Sequence, residues 1–264
     1  AQHHGGLSEQ LDSIENQLAG KVSKNRLTFT LGKFSVADIF GTNIYANDST
    51  IGFLNYNFNA LGTFNFVMDN YGYTYGGAVE WKQNWWTLRS GIFQAAKSPE
   101  SPHIDPKPLN QFMGLIELES RYTLLGRPGA LKFLLWGDYG KYSKFTDVIN
   151  LSIANNDFPP SVENLRRRRT KLGFGINLEQ QLAPNIGLFL RAGINNGNIE
   201  TVRFTDINKT ISTGLVFNGN LWHRSLDEVG TAFAVNHISG YYAQYLNLGG
   251  LGRYVGDGKL NYGN

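Results

Sequence analysis

The feature that most constrains this chain is a two-residue alternation of side chains that returns in segment after segment. It is plainest at residues 73–93, YTYGGAVEWKQNWWTLRSGIF. On an extended backbone, Tyr73, Tyr75, Val79, Trp81, Trp86, Leu88 and Ile92 share one side. Thr74, Gly76, Ala78, Glu80, Lys82, Thr87, Arg89 and Gly91 share the other, with Phe93 as an exception. A two-residue loop at Gln83–Asn84 joins the arms into a hairpin. In that register Trp81 faces Trp86, Glu80 faces Thr87, and Glu80 lies diagonally across from Arg89.

The same period recurs along the chain. Ile116, Leu118, Tyr122 and Leu124 oppose Glu117, Glu119, Arg121 and Thr123. After a turn at GRPG (126–129), Leu131, Phe133, Leu135 and Tyr139 oppose Lys132, Leu134, Trp136 and Asp138. Leu172, Phe174, Ile176 and Leu178 oppose Lys171, Gly173, Gly175, Asn177 and Glu179. Past a three-residue turn at 183–185, Ile186, Leu188, Leu190, Ala192 and Ile194 oppose Gly187, Phe189, Arg191, Gly193 and Asn195. RLTFTL (26–31), a hairpin around Leu61-Gly62 within 51–68, and strands near 202–218 and 228–237 complete the set. These make about ten or eleven strands, many near the length that crosses an outer membrane. Only the first 25 residues differ. Leu7, Leu11, Ile14 and Leu18 fall at helical spacing, with Ser8 a cap and Gly20 a stop, so residues 1–25 are expected to be a loop with a short amphipathic helix and 26–264 the β domain.

Two folds use such alternation: a soluble β protein with one wet face, and a membrane barrel whose apolar face meets lipid. Charged residues are only 17% of the chain, and the second face of each strand is mainly Gly, Ala, Thr and Asn with isolated charges. A water-facing sandwich surface would be richer in Lys and Glu. Short turns also alternate with long loops at 97–111 and 143–166. The pattern is that of an antiparallel up-and-down transmembrane β-barrel, with aromatic residues near strand ends as interfacial girdles. No run of roughly 18 apolar residues exists to make a transmembrane helix. The chain opens on AQHHGG without a signal peptide and has no cysteine, so no disulfide framework or thiol chemistry. A net charge of +3 gives no argument for a nucleic-acid partner.

Four stretches in order carry a resemblance: residues 25–55, 72–93, 167–197 and 227–263, ending in YLNLGGLGRYVGDGKLNYG. They resemble the carbohydrate-selective porin family of the OprB type. The resemblance implies a Gram-negative outer-membrane barrel of about 16 strands that passes small sugars such as glucose passively. After YAND this chain has Ser49-Thr50-Ile51-Gly52 where the family has Pro-Arg-Thr, which puts the role of that arginine in question. Family members also carry strands on both sides of the stretch seen here, so the chain is expected to be a segment of a longer barrel. Assembly stays open between a monomer and a trimer. The alternatives are a general, non-selective porin and a soluble carbohydrate-binding β protein.

A sugar pore needs planar donors, acceptors and aromatic faces rather than a catalyst. The inward-parity residues supply them: Arg89, Glu80, Glu117, Glu119, Arg121, Lys132, Trp136, Asp138, Lys171 and Arg191. Arg89 and Arg191 stand out because each sits mid-strand among small residues. The bland alternative for each is a lumen wall whose charges pair with one another. The run Arg166–Arg169 enters a strand, with Arg169 among the candidate lining residues. It either lines the pore, binds lipopolysaccharide phosphates or is solvated. The histidines at 3, 4, 103, 223 and 237 have no ligand spacing, so no metal or cofactor is expected. No Ser/His/acid set suggests an enzyme, and the glycine-rich 249–258 lacks the Lys-Ser/Thr helix start of a phosphate loop.

Overall fold

The computed structural model describes residues 8–13, 18–99, 101–252 and 255–256. A small hairpin, β1 (Ser8–Leu11) and β2 (Gly20–Ser23), precedes one large sheet. The sheet contains β3 (Arg26–Phe34), β4 (Thr74–Lys82), β5 (Trp86–Gln94), β6 (Phe112–Leu124), β7 (Arg127–Tyr142), β8 (Arg167–Ala183), β9 (Ile186–Asn195), β10 (Lys209–Asn218) and β11 (Glu228–His237). These nine strands follow one another in chain order, each antiparallel to the next. This is the up-and-down order that alternation and turn spacing imply. Among the described residues, β3 and β11 each have one ladder neighbour, so the sheet does not close within this chain. Among the described residues, no helix is long and apolar enough to cross a membrane.

Connections sort by length. Tight turns join β4 to β5, β6 to β7 and β8 to β9 at one end, while 35–73, 95–111, 143–166 and 196–208 lie at the other. The β6–β7 turn is Leu125-Gly126, both with positive φ (51° and 76°). That is the left-handed pair a two-residue hairpin demands, and glycine supplies the second position without strain. Arg127, Pro128 and Gly129, expected to turn, are already in β7.

Four other expectations change. Residues 8–11 pair with 20–23 as strands and not as the expected helix; residues 14–17, its middle, lie outside the described residues. Tertiary contact overrides local spacing here, because Glu9 reaches Arg26 at 2.5 Å and Lys82 at 2.7 Å. The opening hairpin turns at Asn84-Trp85, one residue later than expected, with Gln83 N donating to Trp86 O. The register therefore moves by two residues, which keeps every side chain on its predicted face. Glu80 comes to lie directly opposite Arg89, and Trp81 opposite Leu88. Residues 51–68 contain no hairpin, only the short helix α1 (Tyr56–Asn59) and coil. The strand expected over 202–218 begins at Lys209, and residues 200–208 instead run as coil against the inner face.

The two faces of the sheet differ as alternation requires. Leu31 is 90% exposed and Phe29 71%, and Leu27, Tyr75, Trp81, Ile116, Leu135, Phe174, Ile211 and Phe233 are exposed with them. The other face is covered by the chain itself. Val36, Phe40, Leu61, Phe64, Phe66 and Val67 of the 35–73 connection pack on Ala78, Phe93, Met113, Leu115, Leu134 and Trp136 of the strands. Full burial of each large side chain contributes about 1.5–3 kcal/mol. At the long-loop end, α2 (Phe145–Asn155) and α3 (Gly240–Asn247) meet through Phe145, Tyr242 and Tyr245, with ring centroids 4.9 and 5.0 Å from Phe145.

Candidate functional site

The inner face divides into two parts. Strands β4, β5 and β6 carry a ladder of charges. Arg89 Nε donates to Glu80 at 2.9 Å, and its Nη1 lies 2.9 Å from Glu117 and 2.7 Å from Glu119. Arg121 continues the ladder, donating to Glu119 at 2.5 Å, to Thr87 at 2.8 Å and to the Trp86 carbonyl at 2.9 Å. The ladder exists because register sets Glu80 opposite Arg89, and Arg89 opposite Glu117. Its arginines keep some contact with solvent: the Arg89 side chain is 13% exposed and that of Arg121 28%.

Strands β6 to β9 hold the second part, where charge is used to fix backbone. The segment Gly41–Ala46 lies along these strands and is bonded at each step. Glu117 accepts from Gly41 N at 2.8 Å. Lys132 donates to Thr42 O at 2.7 Å and to Glu179 at 3.1 Å. Asn177 donates to Thr42 O at 2.8 Å and accepts from Asn43 at 2.7 Å. Glu179 also accepts from Ile44 N at 3.0 Å, and Arg191 donates to Ala46 O at 2.7 Å. Arg191 is fully buried, and its Nε and Nη1 make no hydrogen bond. It therefore does not present a free fork to the lumen, as its mid-strand position suggests, but anchors the inserted segment.

The remaining candidates scatter. Trp136 is buried, tilted against Phe64 at 5.0 Å. Asp138 is buried and accepts from the Tyr142 hydroxyl at 2.5 Å. Lys171 is buried and donates to Ile199 O at 3.2 Å and Glu200 O at 3.3 Å. Arg169 keeps the inward parity of β8 and binds Asp147 of α2 at 2.6 Å, at the long-loop end. Its neighbour Arg166 clasps Glu200 at 2.9 and 3.0 Å. Burial pushes the Glu200 carboxyl above its ordinary range, against the pull of Arg166.

Sequence reasoning missed the inserted segment, yet signals for it were present. Phe93, Trp136 and Phe189 interrupt the small inner face. Three inner glycines of β8 and β9 are seats and not open space: an added methyl at Gly175 or Gly193 would meet Leu61, and one at Gly187 would meet Tyr45. At Ser49–Gly52, the departure from the family pattern, Thr50 closes a turn on Asp48 through N (2.7 Å) and Oγ1 (2.6 Å). The Thr50 hydroxyl and amide hold the Asp48 carboxyl below its usual range.

Two cavities open toward the long-loop end, of about 710 and 550 Å³. Tyr56, Phe204, Asn236 and His237 line the larger, Arg166, Glu200 and Tyr245 the smaller, and Asp206 both. Burial raises the Tyr56 hydroxyl well above its ordinary range, so it remains a neutral donor, to Phe64 O at 2.5 Å. Among the described residues, no group of three acidic or histidine side chains is placed to hold a metal.

Residues 13–261 match the family described as carbohydrate-selective porin, OprB family. No curated protein matches the chain significantly. The high-pH structure of Pseudomonas putida OprB superposes with a TM-score of 0.65 at 15% identity, covering 84% of this chain and 53% of that one. The chain thus spans about half the length of that solved relative, and the likeness shows a shared fold.

Proposed function

This chain belongs to the OprB family of carbohydrate-selective porins, outer-membrane proteins, and on that premise we propose that it forms one wall of a passive channel for monosaccharide-sized sugars such as glucose. The observation that carries the reading is the Arg89 ladder. Planar guanidinium groups alternate with carboxylates along one inner face and keep partial access to water. Vicinal sugar hydroxyls are matched by such paired donors and acceptors. Each arginine is already held by carboxylates, so a sugar would exchange hydration for fixed partners at little reorganisation. Arg89, Glu80, Glu119 and Arg121 are the residues assigned to direct contact. Glu117, Lys132, Asn177, Glu179 and Arg191 are assigned to positioning the segment that narrows the passage. Passage down a gradient needs no catalytic group and no cofactor.

The test is planar-bilayer conductance of the full-length protein while glucose is titrated. Sugar block of the ion current is expected, weakened about tenfold by Arg89→Ala, which is about 1.4 kcal/mol of binding. Conductance without sugar block indicates a general porin. Block unchanged in Arg89→Ala removes the ladder from the contact set.

A further inference from the structure

Lys141 and Arg168 occupy directly opposed positions on β7 and β8. Both belong to the outward-facing parity and both are exposed. Like charges set face to face across a strand pair are destabilising by themselves. Two cations elsewhere on the sheet are neutralised: Lys33 has Asp69 at 2.7 Å, and Lys82 has Glu9 at 2.7 Å. Among the described residues, neither Lys141 nor Arg168 has a carboxylate within ion-pair distance.

Their height on the strands is the second observation. The row below them is Phe112, Tyr139 and Thr170, with the Phe112 and Tyr139 rings 5.4 Å apart. Below that, Leu135, Phe133 and Leu131 of β7 are flanked by Ile116 and Leu118 on β6 and by Phe174, Ile176 and Leu178 on β8. From Leu131 to Tyr139 this band takes nine residues of β7, about 26 Å of tilted strand, within the roughly 9–11 residues with which such a strand crosses the apolar layer. The opposed cations thus stand one row above the aromatic girdle, at headgroup level. They stand at the long-loop end, which in such barrels faces outward from the cell.

Arg168 is also pre-positioned. Its Nη1 and Nη2 donate to Asn110 O at 2.8 Å and Asn110 Oδ1 at 2.5 Å, and its guanidinium lies over the Tyr139 ring at 5.7 Å. Asn110 is held in turn by Asp105 at 2.7 Å. Nε and the second hydrogens of both terminal nitrogens remain as donors. A fixed fork beside a mobile ammonium, above an apolar band, matches a phosphate attached to acyl chains.

We propose that Lys141 and Arg168 bind a phosphate of an outer-leaflet glycolipid, the lipid A portion of lipopolysaccharide, with its chains lying along the Phe112–Tyr139 girdle. The inference rests on the outer-membrane placement of the family and not on sugar permeation. The test uses the full-length protein in detergent, incubated with bisphosphorylated lipid A, and native mass spectrometry to count retained lipid. Wild type should retain lipid A, and Lys141→Ser with Arg168→Ser should weaken retention about tenfold. Lys33→Ser, at a cation already paired with Asp69, should change it less than about twofold. Ion conductance in bilayers without sugar, measured on the same double variant, reports that the barrel is intact. Equal retention by the double variant overturns the proposal, as does equal retention of lipid A stripped of phosphate. Complete displacement by millimolar inorganic phosphate overturns the lipid as the source.

Discussion

The inner faces of β4–β6 and β6–β9 are built from one pattern, small residues with scattered charges, and they come to opposite ends. On β4–β6 the charges meet one another, Arg89 with Glu80, Glu117 and Glu119, and the arginines of the ladder keep contact with solvent. On β6–β9 the charges meet backbone: Lys132, Asn177, Glu179 and Arg191 each bond the inserted segment and are buried by it. Glu117 stands at the border, accepting from Arg89 on one side and from Gly41 N on the other. An inward charge is therefore not by itself a pore-lining charge. Its role follows from whether a connection folds over it, and that is decided by apolar seats such as Gly175 and Phe93.

This contrast sets an order of mutational effects. Lys132→Met should be the most damaging, because it leaves the buried Glu179 carboxylate without its cation; a loss of about 3–5 kcal/mol is expected in denaturant unfolding. Open-channel conductance should rise as residues 41–46 loosen. Arg191→Met should cost about 1.5–3 kcal/mol, the worth of a charged hydrogen bond to Ala46 O, with the same direction of conductance change. Gly187→Ala should cost about 1–3 kcal/mol through overpacking against Tyr45. Gly114→Ala, where an added methyl meets nothing within 4 Å, should stay within about 0.5 kcal/mol. Glu80→Gln should also be mild in stability, below about 1 kcal/mol, since the pair is partly solvated, yet it should shift the sugar concentration that blocks current. If Glu80→Gln destabilised as much as Lys132→Met, the division of the inner face into contact and clamp would fail.

The sequence made the sheet legible because a period of two survives a shift of register. The Asn84-Trp85 turn sits one residue from its expected place, and yet Trp81 and Leu88 still face outward and Glu80 and Arg89 inward. Strand boundaries were less legible: the turn expected over 126–129 sits at Leu125-Gly126, with positive φ at leucine, and residues 127–129 are already strand. The inserted segment was not legible. Its contacts join residues far apart in the chain, Asn43 to Asn177 and Arg191 to Ala46, and local alternation carries no information about them. The N-terminal spacing of Leu7, Leu11, Ile14 and Leu18 misled because hairpin pairing and the bridges of Glu9 outweigh a weak helical preference.

The central claim is that alternate residues of each strand face lipid on one side and the channel interior on the other. These 264 residues hold no cysteine, which suits single-cysteine scanning along β5 and β8. With spin labels in reconstituted protein, labels at Leu88, Ile92, Leu172 and Phe174 should respond to oxygen dissolved in the bilayer and not to an aqueous nickel chelate. Labels at Thr87, Arg89 and Lys171 should show the reverse or be shielded from both. Uniform aqueous access at Leu88, Ile92, Leu172 and Phe174 would contradict the account.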